Sequence, residues 1–346
     1  MGIIQTIFIA ILVFGFLIFI HEFGHYIFAR IFKVTITEFS IGMGPKLVWY
    51  DSKKTGIRYA LSAIPFGGYV AMVGENGDSE DPNAFDKKPA WQRLIITVAG
   101  ATINIVAGFL AMIIFASISN FGSTVVYDFP ETSYEISSAD SGLMPGDEII
   151  KVGNKRVGNA DALSYEIMRR GNEPIDVTVI RDGETVTLEN VVFPVDSESG
   201  QEFGMMDFRV YAKAKTFGSV MKYSFSKSVL IVRMCWESLY DLITGRYTMA
   251  AVSGPVGISE AIGTAASAGF AQLLNIVSLI SINLGVMNLL PIPALDGGRM
   301  VTILIEMITK KRLPTNVEAT INAVGLAILL GLSFIILIKD IIALLF

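Results

Sequence analysis

Cysteine and histidine are nearly missing from this 346-residue chain, which has one Cys and two His. A single Cys235 excludes an intrachain disulfide and a cysteine-cage metal site, since each needs at least two thiols. Charge is scarce as well: Asp, Glu, Lys and Arg are 17% of the residues, against 52% hydrophobic. Ordinary soluble domains carry about 25% charge, so a water-soluble globular enzyme and a disordered chain are both disfavoured. The 27 basic residues do not outnumber the 32 acidic ones, and a net charge of -5 leaves no basic excess for nucleic acid.

The missing charge is concentrated. Met1 to Ile20, Leu94 to Tyr127, Ala261 to Leu295 and Ala319 to Ile338 contain no Asp, Glu, Lys or Arg. Each reaches the roughly 20 residues that a helix needs to cross a hydrocarbon core. Four crossings of a lipid bilayer follow. The first run lacks a basic start and a clear small-residue cleavage site before His21, so it reads as a retained span and not as a signal peptide.

Basic residues flanking spans stay in the cytoplasm. Arg30 and Lys33 follow the first span, Lys87, Lys88 and Arg93 precede the second, and Lys310, Lys311 and Arg312 separate the third from the fourth. Both termini are therefore expected outside. Phe217 to Gly245 is apolar enough to suggest a fifth span, but Lys222, Lys227, Arg233, Glu237 and Asp241 fall within an arc of about 140° at 100° per residue. An amphipathic helix along the interface is expected there.

Between the second and third spans, roughly Tyr127 to Lys215, polar and β-prone runs such as Ile175 to Ile180 and Thr185 to Leu188 flank a turn at Arg181 to Glu184. A small extracytoplasmic β-rich domain is expected, with one helix from Asp161 to Arg170 stopped by Gly171. The organisation predicted is 1–119 for the first two spans, 120–215 for the β-rich domain, 216–260 for the interfacial helix and linker, and 261–346 for the last two spans.

Both histidines lie four apart, in His21-Glu22-Phe23-Gly24-His25 within the first span. Residues i and i+4 share a helix face with Cβ atoms about 5 to 6 Å apart. Two imidazoles so placed can grip one zinc ion, and the carboxylate beside the first can take a proton from water of metal-lowered pKa. Snorkelling histidines satisfied by backbone carbonyls are the alternative, but an ionisable triplet inside an apolar helix is costly and marks function. Catalytic zinc has a third protein ligand. Asp296 is the only carboxylate from Ala261 to Ile305; capping of a helix end is its other reading. With four crossings, His21 and Asp296 both fall near the cytoplasmic boundary, so they can meet.

Together, His21 to His25, Asn288-Leu-Leu-Pro-Ile-Pro-Ala-Leu-Asp296-Gly-Gly298, Gly42-Met-Gly-Pro45, Pro65-Phe-Gly-Gly-Tyr-Val70 and Gly254-Pro-Val-Gly-Ile258 resemble the bacterial site-2 proteases, intramembrane zinc metalloproteases of the regulator-of-sigma-E protease type. The resemblance covers nearly the whole chain. It implies zinc held by His21, His25 and Asp296, Glu22 as general base, and Asn288 beside the reacting peptide. The family's Ala-Gly-Pro and Asn motif reads Ala99-Gly-Ala-Thr-Ile-Asn104 here, without the proline. Ser138 to Ile150 and Val152 to Val157 are similar to the circularly arranged PDZ domains of bacterial proteases, and there is room for one such domain where many relatives carry two.

The stretch Ile57 to Val73 is too short for two crossings and is interrupted by Pro65, Gly67 and Gly68. Irregular backbone at membrane depth must be buried in protein or line a wet cavity. A re-entrant β-hairpin over about 57–75 is expected, with Gly67 and Gly68 against an extended substrate strand; a cytoplasmic hairpin is the alternative. The fold class expected is thus a polytopic α-helical membrane protein with four transmembrane helices, a re-entrant hairpin and one extracytoplasmic PDZ domain. The expected function is intramembrane endopeptidase in the bacterial cytoplasmic membrane. Its expected partners are single-pass membrane proteins such as anti-sigma factors or remnant signal peptides. A zinc or proton transporter and a non-catalytic PDZ scaffold are the rivals.

Overall fold

A computed structural model of the chain describes residues 2–75, 77–130, 136–196, 202–246 and 252–345. The chain folds as two compact units, residues 1–112 with 231–346, and residues 113–230.

In the first unit, α1 (Ile3–Ile31), α2 (Ala90–Ile118), α6 (Phe270–Asn288) and α8 (Thr315–Leu345) are the helices with stretches long and apolar enough to cross a membrane among the described residues. α1 and α8 turn large apolar side chains outward, including Ile3, Phe8 and Phe16 on one and Ile328, Leu330 and Phe334 on the other, each at least half exposed. Lipid removes the penalty that water would impose on such a surface, and the protein is a multi-pass membrane protein. Between α2 and α6 the contact is small and polar instead. Ser278 Oγ donates to Gly108 O at 2.6 Å and Ser281 Oγ to Asn104 O at 2.7 Å, tying α6 to α2, as expected where apolar contact alone gives no advantage over lipid.

The charge-free run 261–295 is broken. Its first part belongs to α5 (Pro255–Ser267), it restarts as α6 after Gly269, whose φ of 115° stops the helix, and it leaves helix again after Asn288. α5 packs on α1, with Ile262 fully buried beside Ala10, Val13 and Leu17. α7 (Asp296–Thr309) and α8 follow. Asp340 of α8 accepts from Gly254 N at 3.4 Å and Gly257 N at 3.3 Å, capping the start of α5.

The hairpin is larger than expected over 57–75. It comprises β1 (Ile36–Asp51) and β2 (Arg58–Met72), an antiparallel pair in which both strands bend. Gly42 and Gly44, with φ of 84° and 82°, bend β1 in a way open to few other residues. As a result Glu38–Ile41 has partners on two sides, Gly68–Ala71 and Arg58–Leu61, while Lys46–Asp51 pairs with Arg58–Ser62. Among the described residues, Gly68–Met72 has strand partners only in β1, so its other edge is open.

The second unit contains a sheet of order β10-β3-β4-β6-β7, with β5 beside β4: β3 Gly122–Asp128, β4 Glu148–Val152, β5 Lys155–Arg156, β6 Ile175–Arg181, β7 Glu184–Val191 and β10 Arg209–Ala212. The pair β8 (Val195–Asp196) and β9 (Phe203–Gly204) stands apart from it. Asp182 and Gly183, both at positive φ, make the two-residue turn between β6 and β7. Helix α3 (Ala160–Arg170) starts at Asn159, whose Oδ1 accepts from Ala162 N at 2.8 Å. Its Leu163 and Ile167 are fully buried, as are Ile149, Val177 and Val179 of the sheet. A buried fork, Arg181 Nε and Nη2 each 2.7 Å from Asp147, also reaches Gly142 O at 2.8 Å and fixes the Gly142 to Asp147 loop.

Helix α4 (Phe217–Ile243) is amphipathic, with an unexpected orientation. Lys227 and Asp241 point into the protein, while Phe225, Val229, Trp236 and Tyr240 are exposed. Lys227 Nζ donates to Asp161 Oδ1 at 2.8 Å, which explains why a cation faces inward.

Truncating Leu163 to Ala should destabilise the second unit by about 2 to 5 kcal/mol through lost contacts and a residual cavity. Met168→Ala, on the exposed side of the same helix, should change stability by less than about 0.5 kcal/mol. Thermal unfolding of the purified protein, followed by protease resistance of this unit, checks the contrast.

Candidate metal centre

Three side chains from distant parts of the first unit converge. His21 and His25, one turn apart on α1, place their Nε2 atoms 3.3 Å apart. Asp296 Oδ2 lies 3.1 Å from His21 Nε2 and 3.3 Å from His25 Nε2. A tetrahedral zinc ion with ligands at about 2.0 to 2.1 Å requires donor pairs roughly 3.3 Å apart. The observed triangle therefore has the size that one such ion needs. Asp296 Oδ2 is also buried and makes no hydrogen bond of acceptable geometry despite these short approaches. Two imidazole nitrogens and an unpartnered carboxylate oxygen, close together, form an N, N, O donor set that suits zinc.

The surrounding structure orients each donor. His25 Nδ1 lies 2.8 Å from Ile96 O; with its proton donated there, Nε2 is left as the free donor. His21 Nδ1 faces the amide of Asn104 at 3.4 Å. The same tautomer for His21 requires Asn104 to present its oxygen, and Asn104 Oδ1 is a buried acceptor without a partner. Turning the amide by 180° satisfies both groups at no steric cost. Gly100, on α2, makes this approach possible: a Cβ there would sit 2.8 Å from His25 Cε1 and 2.9 Å from His21 Nε2.

Asp296 arrives by a different route. Pro291 and Pro293 follow the end of α6 and oppose its continuation. Ala294 then takes φ of 72°, a strained value for a residue with a Cβ, and its N–H donates to Asn322 Oδ1 at 3.3 Å. Two residues later Asp296 opens α7 with its carboxylate at the histidines.

These donors line a cavity of about 420 Å³ together with Glu22, Gly68, Tyr69, Val70, Ala71, Met72, Glu75, Thr97 and Arg299. This volume is ample for a ligand as well as an ion. Gly68 touches Glu22 so closely that a Cβ would be 2.9 Å from Glu22 Cγ. Tyr69 OH donates to Glu38 Oε1 at 2.6 Å and Lys46 Nζ to Glu38 Oε2 at 2.5 Å. Burial pushes the Glu38 carboxyl up, but these two donors outweigh it and hold it below its usual range. The contact with Glu38 and burial raise the Tyr69 phenol.

The structure thus brings together His21, Glu22, His25, Asp296 and Gly68 of the residues expected from the sequence. Gly67 is next to the cavity wall without forming it, and Asn288 is the last residue of α6, also outside the wall. Thr97, Glu75 and Arg299 are additions. Asn104 belongs to the Ala99 to Asn104 motif of the family resemblance, and the structure adds its place beside His21 Nδ1.

Residues 9–332 match the model of Peptidase family M50. A protein of Clostridium acetobutylicum, provisionally named a zinc metalloprotease, is 36% identical over 97% of this chain and 97% of its own length. Similarly named proteins are 33% identical in Clostridium perfringens, over 96% of this chain and 97% of the relative, and 31% in Fusobacterium nucleatum, over 97% and 98%. With HExxH on a spanning helix and a distant aspartate completing one donor triangle, the chain belongs to peptidase family M50.

Proposed function

We propose that this peptidase is a zinc endopeptidase that hydrolyses a peptide bond within or at the edge of the transmembrane segment of a single-pass membrane protein. The observation that carries the reading is the donor triangle of His21, His25 and Asp296, sharing one cavity with Glu22 and with the open edge of Gly68–Met72. When bound, zinc supplies Lewis acidity and a water of lowered pKa.

The chain's own residues supply the rest. His25 donates Nδ1–H to Ile96 O and His21 donates to Asn104, which keeps both Nε2 atoms directed at the cavity. Glu22 accepts a proton from the attacking water. As the water oxygen joins the carbonyl carbon and the C–N bond breaks, Glu22 returns that proton to the leaving amine nitrogen. A helix hides its carbonyls, so the substrate must be unwound locally. The free edge of Gly68–Met72 offers main-chain groups to which an extended segment can add as a strand. Gly67 and Asn288 are proposed as contacts of the substrate chain beyond the cavity wall. A transporter would need ligating groups along a path, and among the described residues His21, His25 and Asp296 are the only such cluster.

The flanking basic residues support an orientation with both termini and the second unit outside the bacterial cytoplasmic membrane and the metal site towards the cytoplasm. We read the second unit as a PDZ domain that screens substrates, admitting those already trimmed outside, with anti-sigma factors and remnant signal peptides as substrate classes.

Glu22→Gln should retain near-stoichiometric zinc by elemental analysis while cleavage of a model transmembrane substrate falls by about 10² to 10⁴. His21→Ala and Asp296→Ala should lose both metal and cleavage. A Glu22→Gln variant that cleaves at an undiminished rate would show that Glu22 is not the base.

Topology is checked with single cysteines in a Cys235→Ser background. Ser141→Cys should react from outside intact cells with an impermeant thiol reagent, and Thr309→Cys should not. Outside labelling of Thr309→Cys would overturn the orientation.

A further inference from the structure

One ion pair joins the open strand edge to the helix that carries Asp296. Arg299 Nη1 donates to Glu75 Oε1 at 2.5 Å and Nη2 donates to the Glu75 carbonyl at 2.6 Å. The guanidinium also lies over the Phe85 ring, 5.4 Å from its centroid. Glu75 is three residues past Met72, where the cavity-lining edge ends, and Arg299 is three residues past Asp296, one turn along α7. Both side chains line the cavity of the metal donors and a second, charged cavity bounded by Asp86, Arg93, Glu306 and Arg312. Each is about one-fifth exposed, so solvent screens the pair only in part. A planar guanidinium bound to a side chain and to a main-chain oxygen fixes direction as well as distance, which a lysine cannot do.

We propose that the Glu75–Arg299 pair is a register clamp and that both are positioning residues that determine which peptide bond is cleaved. The inference rests on the peptidase reading above. A substrate added to Gly68–Met72 takes its register from that strand, while the attack occurs where His21, His25 and Asp296 converge. The segment past the strand is also bonded to Phe85 N through Val73 O, and Asp86 O accepts from Arg312 after α7, but the Glu75–Arg299 pair is a direct bond to the first turn of α7. With the pair intact, strand and donors are held at one separation and one bond lies opposite them. Without it, the segment 68–75 shifts relative to Asp296 and neighbouring bonds are presented. The pair touches no reacting atom, so its loss changes alignment and not the chemistry itself. The adjoining pairs, Arg93 Nη2 with Glu306 Oε1 at 2.5 Å and Arg312 Nε with the same oxygen at 3.1 Å, act two turns further along α7 and tie it to α2 and to the loop that follows α7.

The test compares the full-length zinc-loaded protein with Arg299→Met, Arg299→Lys and Glu75→Ala in detergent, using a model transmembrane substrate whose products are sequenced by mass spectrometry. The unsubstituted protein should cut at one bond. Arg299→Met and Glu75→Ala should lower kcat on the order of tenfold to a hundredfold, because sub-ångström to ångström misplacement acts on the reacting geometry. They should also spread cleavage to adjacent bonds, with KM changed little and zinc retained. Arg299→Lys, which preserves the charge but not the fork, should restore part of the rate and part of the site selectivity. A second measurement is independent of activity: hydrogen exchange of the amides from Gly68 to Glu75 should accelerate by about tenfold in Arg299→Met and Glu75→Ala, as expected when a local tether is cut. Cleavage at the single original bond with unchanged kcat in both variants overturns the clamp, as does unchanged exchange in both. Loss of zinc in either variant overturns it too, because the pair would then serve the ligand and not the register. If the unsubstituted protein shows no Glu22-dependent cleavage, the peptidase reading fails. The exchange contrast does not depend on that activity, so the two failures are distinguishable.

Discussion

The structure depends on keeping three polar donors at one point inside an apolar bundle. Imidazole and carboxylate groups at membrane depth are expensive unless each is paired or engaged with a cation. Here the pairing is divided between two directions. The Nδ1 atoms of His25 and His21 face Ile96 O and Asn104, and the Nε2 atoms, with Asp296 Oδ2, face one another at 3.1 to 3.3 Å. Such a triangle of mutually close acceptors has no reason to persist by itself. A shared cation turns it from a cost into a tether linking α1 to the start of α7.

The rest of the first unit follows from that requirement. α1 and α2 must approach until Gly100 touches the imidazoles, so bulky residues are excluded from the contact and placed on the lipid side. α6 is held to α2 by serine hydroxyls that donate to main-chain oxygens, which suits an interface without hydrophobic advantage. Breaking the helical run after Asn288 gives Asp296 its reach, and the strained Ala294 is part of that turn. The bent hairpin completes the cavity from the opposite side, with its main chain towards Glu22 through Gly68.

Much of this was legible in the sequence, and what was not has physical causes. Spans are composition effects, so the charge-free runs located the spanning helices, and the four-residue spacing of His21 and His25 announced the donor face. The subdivision of 261–295 is not legible, because Gly269 acts through a positive φ and no charge marks the break. The first strand of the hairpin is not legible, since β1 is bent by Gly42 and Gly44 and one apolar–polar alternation does not extend across the bends. On α4 the charged arc is visible, but the inward turn of Lys227 depends on Asp161, 66 residues away, while Lys222 of the same arc stays exposed. Glu75 and Arg299 are hidden for the same reason: each has meaning only through a partner far away in the chain.

The central claim is the composition of the donor set, and X-ray absorption at the zinc K-edge of the purified protein tests it most directly. The account predicts a low-coordinate site with two imidazole nitrogens and oxygen donors at about 2.0 to 2.2 Å, without sulfur, and loss of the bound zinc in His25→Ala as in the other ligand variants. A sulfur scatterer, a six-coordinate all-oxygen shell, or a spectrum unchanged by His25→Ala would contradict it.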